Sequence, residues 1–381
     1  MKRRIIMSAP AKHLYLLDIL RGVAALAVVI FHYVGFYFTA PLTLPDTFTR
    51  AQMPFYAALS VIYSDGWRAV ELFFVLSGFI FFYQYGDAIR SRTVGGYEFF
   101  VLRFSRLYPL HFVTLILVAG GQLISTSIDH QPVMYACNDA KRFLLNLFFL
   151  TDWLPGNWVC WSFNGPVWSL SVEIFLYFLF FFFALLMPAS WMARFASAIG
   201  LTVLGIFIYS QNKLHLFGVP LFCFYSGGTA YLLWERMHRD GWSKAIVATT
   251  ALSALAGCIA FTVLHFTESA LYALIFPLIV LLLALCQDWS RDLGRPIRVI
   301  GEISYSTYLI HFPVILLLLL LQKASITHLD FSKSSTWLLY LAMVVGISIP
   351  SHYLFERRAQ RFLRKRLLAS PRSPIGKEAT V

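Results

Sequence analysis

Arg21 and His32 stand eleven residues apart in the apolar run LDILRGVAALAVVIFHY. At 100° per residue that spacing is three helical turns with about 20° left over, so both side chains point the same way, roughly 16 Å apart along the axis. An imidazole held there can act as a general base on a hydroxyl, and a guanidinium can grip an anion. The same spacing also suits a plainer arrangement, with Arg21 snorkelling to headgroups and His32 satisfied by a neighbouring helix. Glu71 opens the run VELFFVLSGFIFF and Glu173 lies inside GPVWSLSVEIFLY. Either carboxylate, placed beside His32, would fix the tautomer of the ring and raise its basicity. Asp152 reads as a solvated carboxylate of a loop.

In GEISYSTYLIHFPV, Ser304, Tyr308 and His311 fall at i, i+4 and i+7 on one helical face, with Tyr305 beside them. Such a polar seam must face protein or water, as a hydrogen-bond network or as a channel wall. In RFSRLYPLHF, Arg103 and Arg106 lie one turn apart and can hold phosphate bidentately, with Tyr108 next to them; plain charge topology would also place arginines there. Ser77, Ser169 and Ser171 offer hydroxyls near these groups, and Trp168, Tyr305 and Tyr308 offer donors for a developing oxyanion. No Cys/His spacing suggests a metal site.

The elements that must position these residues are apolar. Of 381 residues, 59% are hydrophobic and 13% charged, whereas soluble globular chains carry roughly 25% charge. That excludes a water-soluble fold, disorder, collagen and coiled coil, and predicts an all-α polytopic membrane bundle. Spans are expected near 16–38, 67–85, 107–127, 166–187, 194–210, 216–234, 245–264, 269–286, 301–322 and 335–354, about ten transmembrane helices. The net charge of +12 resides in connections and in the tail, not in a continuous patch, so nucleic acid is not an expected partner. Basic residues crowd one set of connections (Arg90 to Arg106, Arg236 to Lys244, Arg291 to Arg298) and the tail, which makes both termini cytoplasmic by the positive-inside rule. Domain boundaries follow as 1–355 for the transmembrane domain and 356–381 for a basic cytoplasmic tail resting on anionic headgroups. The first span lacks a small-residue cleavage site and is read as a helix, not a leader.

Cys137 and Cys160 both fall in the outer segment 128–165, where a disulfide is one expectation and two unpaired residues the other. Trp153, Trp158 and Trp161, with Asp129, Asp139 and Asp152, suit either sugar stacking or packing of this loop on the bundle.

Five ordered segments carry a resemblance: the Arg21 and His32 pair, Val70 to Phe82, Arg103 to Pro109, Val167 to Phe175, and Ser304 to His311. Together, from about Leu16 to Phe355, they resemble the acyltransferase-3 family of integral membrane acyltransferases. The resemblance implies a ten-helix enzyme of the bacterial inner membrane that moves an acyl group, most often acetyl from acetyl-CoA, to a hydroxyl of a surface or lipid-linked carbohydrate such as lipopolysaccharide. It implies His32 as the essential histidine, Arg21 as its partner, and Arg103 and Arg106 as donor-handling residues, with less defined roles for Glu173 and His311. Many relatives carry Asp where Glu71 stands. Some carry an extracytoplasmic esterase-like domain after the last helix; this sequence ends about 25 residues beyond it, so transfer is expected from the membrane domain alone or with a separate partner.

The expected mechanism docks acyl-CoA phosphates at Arg103 and Arg106, threads the pantetheine arm past Arg21, and uses His32 as general base with Glu173 or Glu71 orienting it. Acyl-CoA is then donor substrate, not a resident cofactor. Direct transfer is preferred over an acyl-enzyme because no Gly-x-Ser-x-Gly elbow occurs. The competing reading is a secondary transporter with an intramembrane Arg/His/Glu pathway. A duplicated half with broken hydrophobic segments, the mark of inverted repeats, is absent from the sequence.

Overall fold

The computed structural model of the protein describes residues 13–39, 41–151, 153, 161–211, 215–265, 271–287 and 291–368. Asp152, Trp158 and Cys160 lie outside these, as do the basic residues before His13 and the chain after Leu368. Among the described residues the fold is helical, without strands. In chain order the helices are α1 (Tyr15–Phe31), α2 (Tyr56–Asp65), α3 (Ala69–Phe81), α4 (Gly96–Asp129), α5 (Ala140–Leu147), α6 (Trp168–Leu185) and α7 (Trp191–Ser210). They continue with α8 (His215–Arg239), α9 (Lys244–His265), α10 (Phe276–Cys286), α11 (Arg291–Glu302), α12 (Ser304–Lys323), α13 (Ser334–Pro350) and α14 (Arg357–Leu367).

Among the described residues seven stretches are long and apolar enough to cross a membrane: Tyr15–Tyr37, Tyr56–Arg90, Gly96–Asp129, Gly165–Leu185, Trp191–Ser210, Ser304–Lys323 and Ser334–Leu367. The multi-pass expectation therefore stands, with seven such stretches among the described residues against the ten expected. Lys244–Ala260 and Tyr272–Cys286 are apolar but shorter. Helix α8 carries Ser226, Gly227, Gly228 and Thr229 at its middle, which dilutes its apolarity. Those small residues serve packing against α3. A Cβ on Gly227 would stand 2.0 Å from the Val75 carbonyl, and one on Gly78 would stand 1.8 Å from the Phe224 carbonyl, so the two backbones touch where only glycine fits.

A second glycine contact sets the position of Arg21. Gly301, at the end of α11, lies where a Cβ would come within 2.4 Å of the Asp18 carbonyl on α1. The first turn of α12 thus sits beside the guanidinium.

The apolar interior forms two clusters. One packs α1, α3, α6, α8 and α10 around Phe79, Phe82, Phe180, Phe222 and Phe224. The other packs the far end of α1 against α12 and α13 around Tyr33, Phe36, Phe312 and Tyr340. Along α1 the change falls between Val28 and Val29, one turn before His32, where the helix tightens into a 3-10 stretch over His32–Tyr37. Proline shapes α12 nearby: Pro313 has no N–H for the Leu309 carbonyl, and the Asn164 amide donates to that carbonyl at 3.3 Å instead.

In the segment between α4 and α6, Asp139 caps α5 by accepting from the Arg142 backbone N–H at 2.8 Å. That N–H, with the Arg142 guanidinium, holds the Asp139 carboxyl below its ordinary range. Cys137 is disulfide-bonded.

Candidate active site

Helices α1, α3, α4, α6 and α12, with the segment from His352 to Gln360, enclose a cavity of about 440 Å³. Arg21, Arg103, Arg106 and Arg357 line it together with Asp18, Glu173, Glu302 and Glu356. So many charges among apolar helices are tolerable only where they face one another or water.

Arg21 is held in three directions. Its Nη2 donates to the Gly301 carbonyl at 2.7 Å and pairs with Asp18 Oδ1 at 3.1 Å, and its Nε donates to Ser304 Oγ at 2.9 Å. Ser304 in turn donates to the Gly301 carbonyl at 2.7 Å. Arg103 donates to the Tyr85 hydroxyl, and its guanidinium lies 4.9 Å from the Phe81 ring centre and 4.7 Å from that of Tyr85. Stacked on two rings, it keeps a fixed position. Arg106 lines the same wall and makes no hydrogen bond to a described residue. Among the described residues it shares this with Arg357, whose guanidinium has only a ring contact with Tyr353.

Glu173 Oε1 accepts from Tyr177 Oη at 2.7 Å and from Ser77 Oγ at 3.4 Å. The carboxylate therefore belongs to the arginine cavity, not to His32. Glu71 is buried in the first turn of α3. The expected orienting role falls to a peptide carbonyl: His32 Nδ1 lies 2.9 Å from the Val28 oxygen. A carbonyl can only accept, so Nδ1 carries the proton and Nε2 presents its lone pair.

Deep in the cavity wall stand Ser169 and Tyr308, their oxygens 2.8 Å apart. Behind them the His311 ring centre lies 5.8 Å from that of Tyr308 and 4.9 Å from that of His32. His32 is thus not itself in the wall, but two rings beyond it. His311 Nδ1 is committed to the Tyr308 carbonyl at 2.5 Å, and its buried Nε2 has no hydrogen-bond partner.

Several expectations change. The Tyr305 hydroxyl donates to the Leu107 carbonyl at 2.5 Å and that of Tyr308 to the Pro166 carbonyl at 2.5 Å, so neither is a spare oxyanion donor. Trp168 packs near Phe74 and Trp161, outside the cavity lining. Ser171 donates to the Phe149 carbonyl and leaves the site, whereas Ser77 and Ser169 stay in it. Tyr108 stacks on Phe104 and Phe112 on the face of α4 turned away from Arg106. Two residues along a helix is a rotation of about 200°, which carries Tyr108 out of the cavity.

The acyltransferase-3 family model, an acyltransferase domain, matches residues 14–353. The chain belongs to this family. Among curated proteins it is similar to acyltransferase MdmB of Streptomyces mycarofaciens, 34% identical over 136 residues that cover 34% of this chain and 33% of that protein. It is also similar to protein 2 in the picA locus of Rhizobium radiobacter, 33% identical over 112 residues covering 29% of this chain and 47% of the other. Each match spans less than half of the relative. No solved structure matches.

In this acyltransferase-3 chain the site extends past the sequence motifs. Asp18 bridges His13 at 3.2 Å and Arg21, and was visible as a carboxylate three residues before Arg21 within an apolar run. Glu356 accepts from Ser306 Oγ at 2.7 Å and lies 3.1 Å from His352 Nδ1, all three buried. Glu356, Arg357 and Gln360 fall in the stretch assigned to the tail, yet they line the cavity. Arg364 then ties α14 to α4 through Ser105 Oγ at 3.1 Å.

Proposed function

We propose that the protein is a membrane O-acyltransferase that moves an acyl group, acetyl by the family's habit, from acyl-CoA to a hydroxyl of a surface or lipid-linked carbohydrate. The observation that carries this reading is the arginine-lined cavity whose deep wall, at Ser169 and Tyr308, backs onto the His311 and His32 pair. Charge along the chain supports an orientation with the arginine side and both termini cytoplasmic, in a bacterial inner membrane. Acyl-CoA then enters from the cytosol, its phosphates at Arg106 and Arg103 and its pantetheine arm running past Arg21 toward Ser169.

The acceptor approaches from the other side. His32 Nε2 takes the hydroxyl proton as the oxygen attacks the thioester carbonyl. The tetrahedral intermediate collapses with loss of the CoA thiolate, and the proton on His32 passes to that sulfur. The hydroxyl becomes an ester and the thioester a thiol, so no other reactant is needed. Glu173 holds the donor end of the cavity by balancing Arg103 and Arg106. The test is release of free thiol from acetyl-CoA by the purified protein with a membrane glycolipid extract present. Thiol release that depends on His32 supports the reading. A protein that moves solutes through an Arg/His/Glu pathway would release none.

A further inference from the structure

A second, smaller cavity adjoins the arginine cavity. It measures about 300 Å³, is lined by Tyr353, Arg357, Gln360 and Arg361, and shares Arg357 and Gln360 with the larger one. On α14, Arg357, Gln360, Arg361 and Arg364 fall within about 100° of arc, so they form one face of the helix. Arg364 ties that face to α4: its Nε donates to Ser105 Oγ at 3.1 Å and its Nη2 to the Leu102 carbonyl at 3.3 Å. Those partners are the chain neighbours of Arg106 and Arg103, so the arginines of α14 are fixed beside those of α4.

The side chains of the smaller cavity suit a nucleotide. The Arg357 guanidinium has only a ring contact, 5.5 Å from the Tyr353 ring centre. Arg361 uses Nε on the Arg357 carbonyl at 3.2 Å, which leaves both of its terminal amino groups for an anion. The Tyr353 hydroxyl donates to Glu302 Oε2 at 2.9 Å, which fixes the ring, and Glu302 is itself paired with Arg298 at 2.6 Å. The Gln360 amide makes no hydrogen bond to a described residue. It presents a donor beside an acceptor, the pattern that pairs with the amino group and ring nitrogen of adenine. Two guanidiniums match a phosphate, and a ring with an amide matches a purine.

We propose that this annexe is the subsite for the adenosine 3′-phosphate end of the acyl-CoA donor, with the phosphate on Arg357 and Arg361 and the adenine against Tyr353 and Gln360. This rests on the acyl-transfer reading above and adds to it the group that distinguishes acyl-CoA from an acyl-pantetheine carried on a protein, which has no adenosine. The diphosphate stays at Arg103 and Arg106. Both anionic groups hang from one ribose, so the two sets of arginines must lie side by side, which the Arg364 bonds to α4 ensure.

The experiment uses the full chain in phosphatidylcholine nanodiscs and titration calorimetry with 3′,5′-ADP and 5′-AMP, which differ only in the 3′-phosphate. The wild type should bind 3′,5′-ADP at least about tenfold more tightly, the scale of one charge-assisted contact. Arg361→Ala should weaken 3′,5′-ADP about 10- to 100-fold and leave 5′-AMP within about twofold, while Arg366→Ala, on the other side of α14, should change neither. In thiol release, Arg361→Ala should raise the KM for acetyl-CoA by the same factor at unchanged kcat, and leave the KM for 3′-dephospho-acetyl-CoA where it was. Equal affinity of the wild type for the two nucleotides, or equal loss of both in Arg361→Ala, overturns the proposal. So does an Arg361→Ala variant that keeps 3′,5′-ADP and loses only a preference for discs containing phosphatidylglycerol, the behaviour of a lipid headgroup site. Wild-type protein that tells the two nucleotides apart in this way yet releases no thiol sinks the acyl-transfer reading and leaves the nucleotide subsite standing.

Discussion

The arginine cavity and the histidine pair behind it solve opposite problems. In the cavity most charged groups are already held: Arg21 by Asp18, Ser304 and Gly301, Arg103 by Tyr85, Glu173 by Tyr177, and Glu356 by Ser306 and His352. At the histidine end each ring is fixed through one nitrogen and leaves the other with its lone pair. The first arrangement suits binding, since side chains locked before the ligand arrives lose little entropy when it does. The second suits reaction, since groups left unsatisfied in the ground state gain partners only as charge moves. The contrast predicts that damage to the two regions will appear in different kinetic parameters.

The largest effect is expected at the reactive end. His32→Ala should cut kcat by about 10³-fold, within the range of general-base contributions, with the KM for acyl-CoA within about twofold of the wild type. An equal loss in both parameters would mean that the two regions are not separable. Next comes Arg106→Ala, which removes a cavity cation that makes no hydrogen bond to a described residue. Loss of a charge-assisted contact of about 1.5–3 kcal/mol raises the KM roughly 10- to 100-fold while kcat holds, and steady-state kinetics at two salt concentrations should show the wild type converging on the variant as screening grows.

A smaller effect, on stability more than on turnover, is expected from Glu356→Gln. The carboxylate accepts from both Ser306 and His352 in a buried setting, so the change should cost about 1–3 kcal/mol, read as a lower thermal unfolding temperature in detergent. The smallest belongs to Tyr108→Phe. Because Tyr108 stacks on Phe104 and Phe112 outside the cavity, neither kcat nor the KM for acyl-CoA should move by more than about twofold. A larger rise in KM would return Tyr108 to the donor site and blur the boundary of the cavity.

Much of this arrangement was legible from residue type and period. Ionisable groups inside apolar runs identified Arg21, His32, Glu173 and His311, because lipid penalises charge enough to make each one informative. Their pairing was not legible. That Arg21 would meet Ser304 and Gly301, nearly three hundred positions away, depends on the close glycine contact between α1 and the end of α11, which no local pattern encodes. Glu173 was expected at His32 because a carboxylate is the familiar partner of an imidazole; the ring instead uses a carbonyl of its own helix, a partner every residue carries and no sequence reveals. Tyr108 was placed by adjacency where helical rotation turns it away. Glu356 and His352 were missed because they sit at the end of the last span, where charge reads as topology, although their burial sets them apart from the exposed arginines of α14.

The claim on which the rest depends is that one substrate joins the two regions, with its anionic end among the arginines and its reactive end at the histidines. A cryo-electron microscopy reconstruction of the full chain with coenzyme A bound tests it most directly. The account predicts phosphate density at Arg103 and Arg106 and the thiol against Ser169 and Tyr308, facing the His311 and His32 pair. Coenzyme A bound elsewhere, or bound with its thiol turned away from that wall, would contradict it.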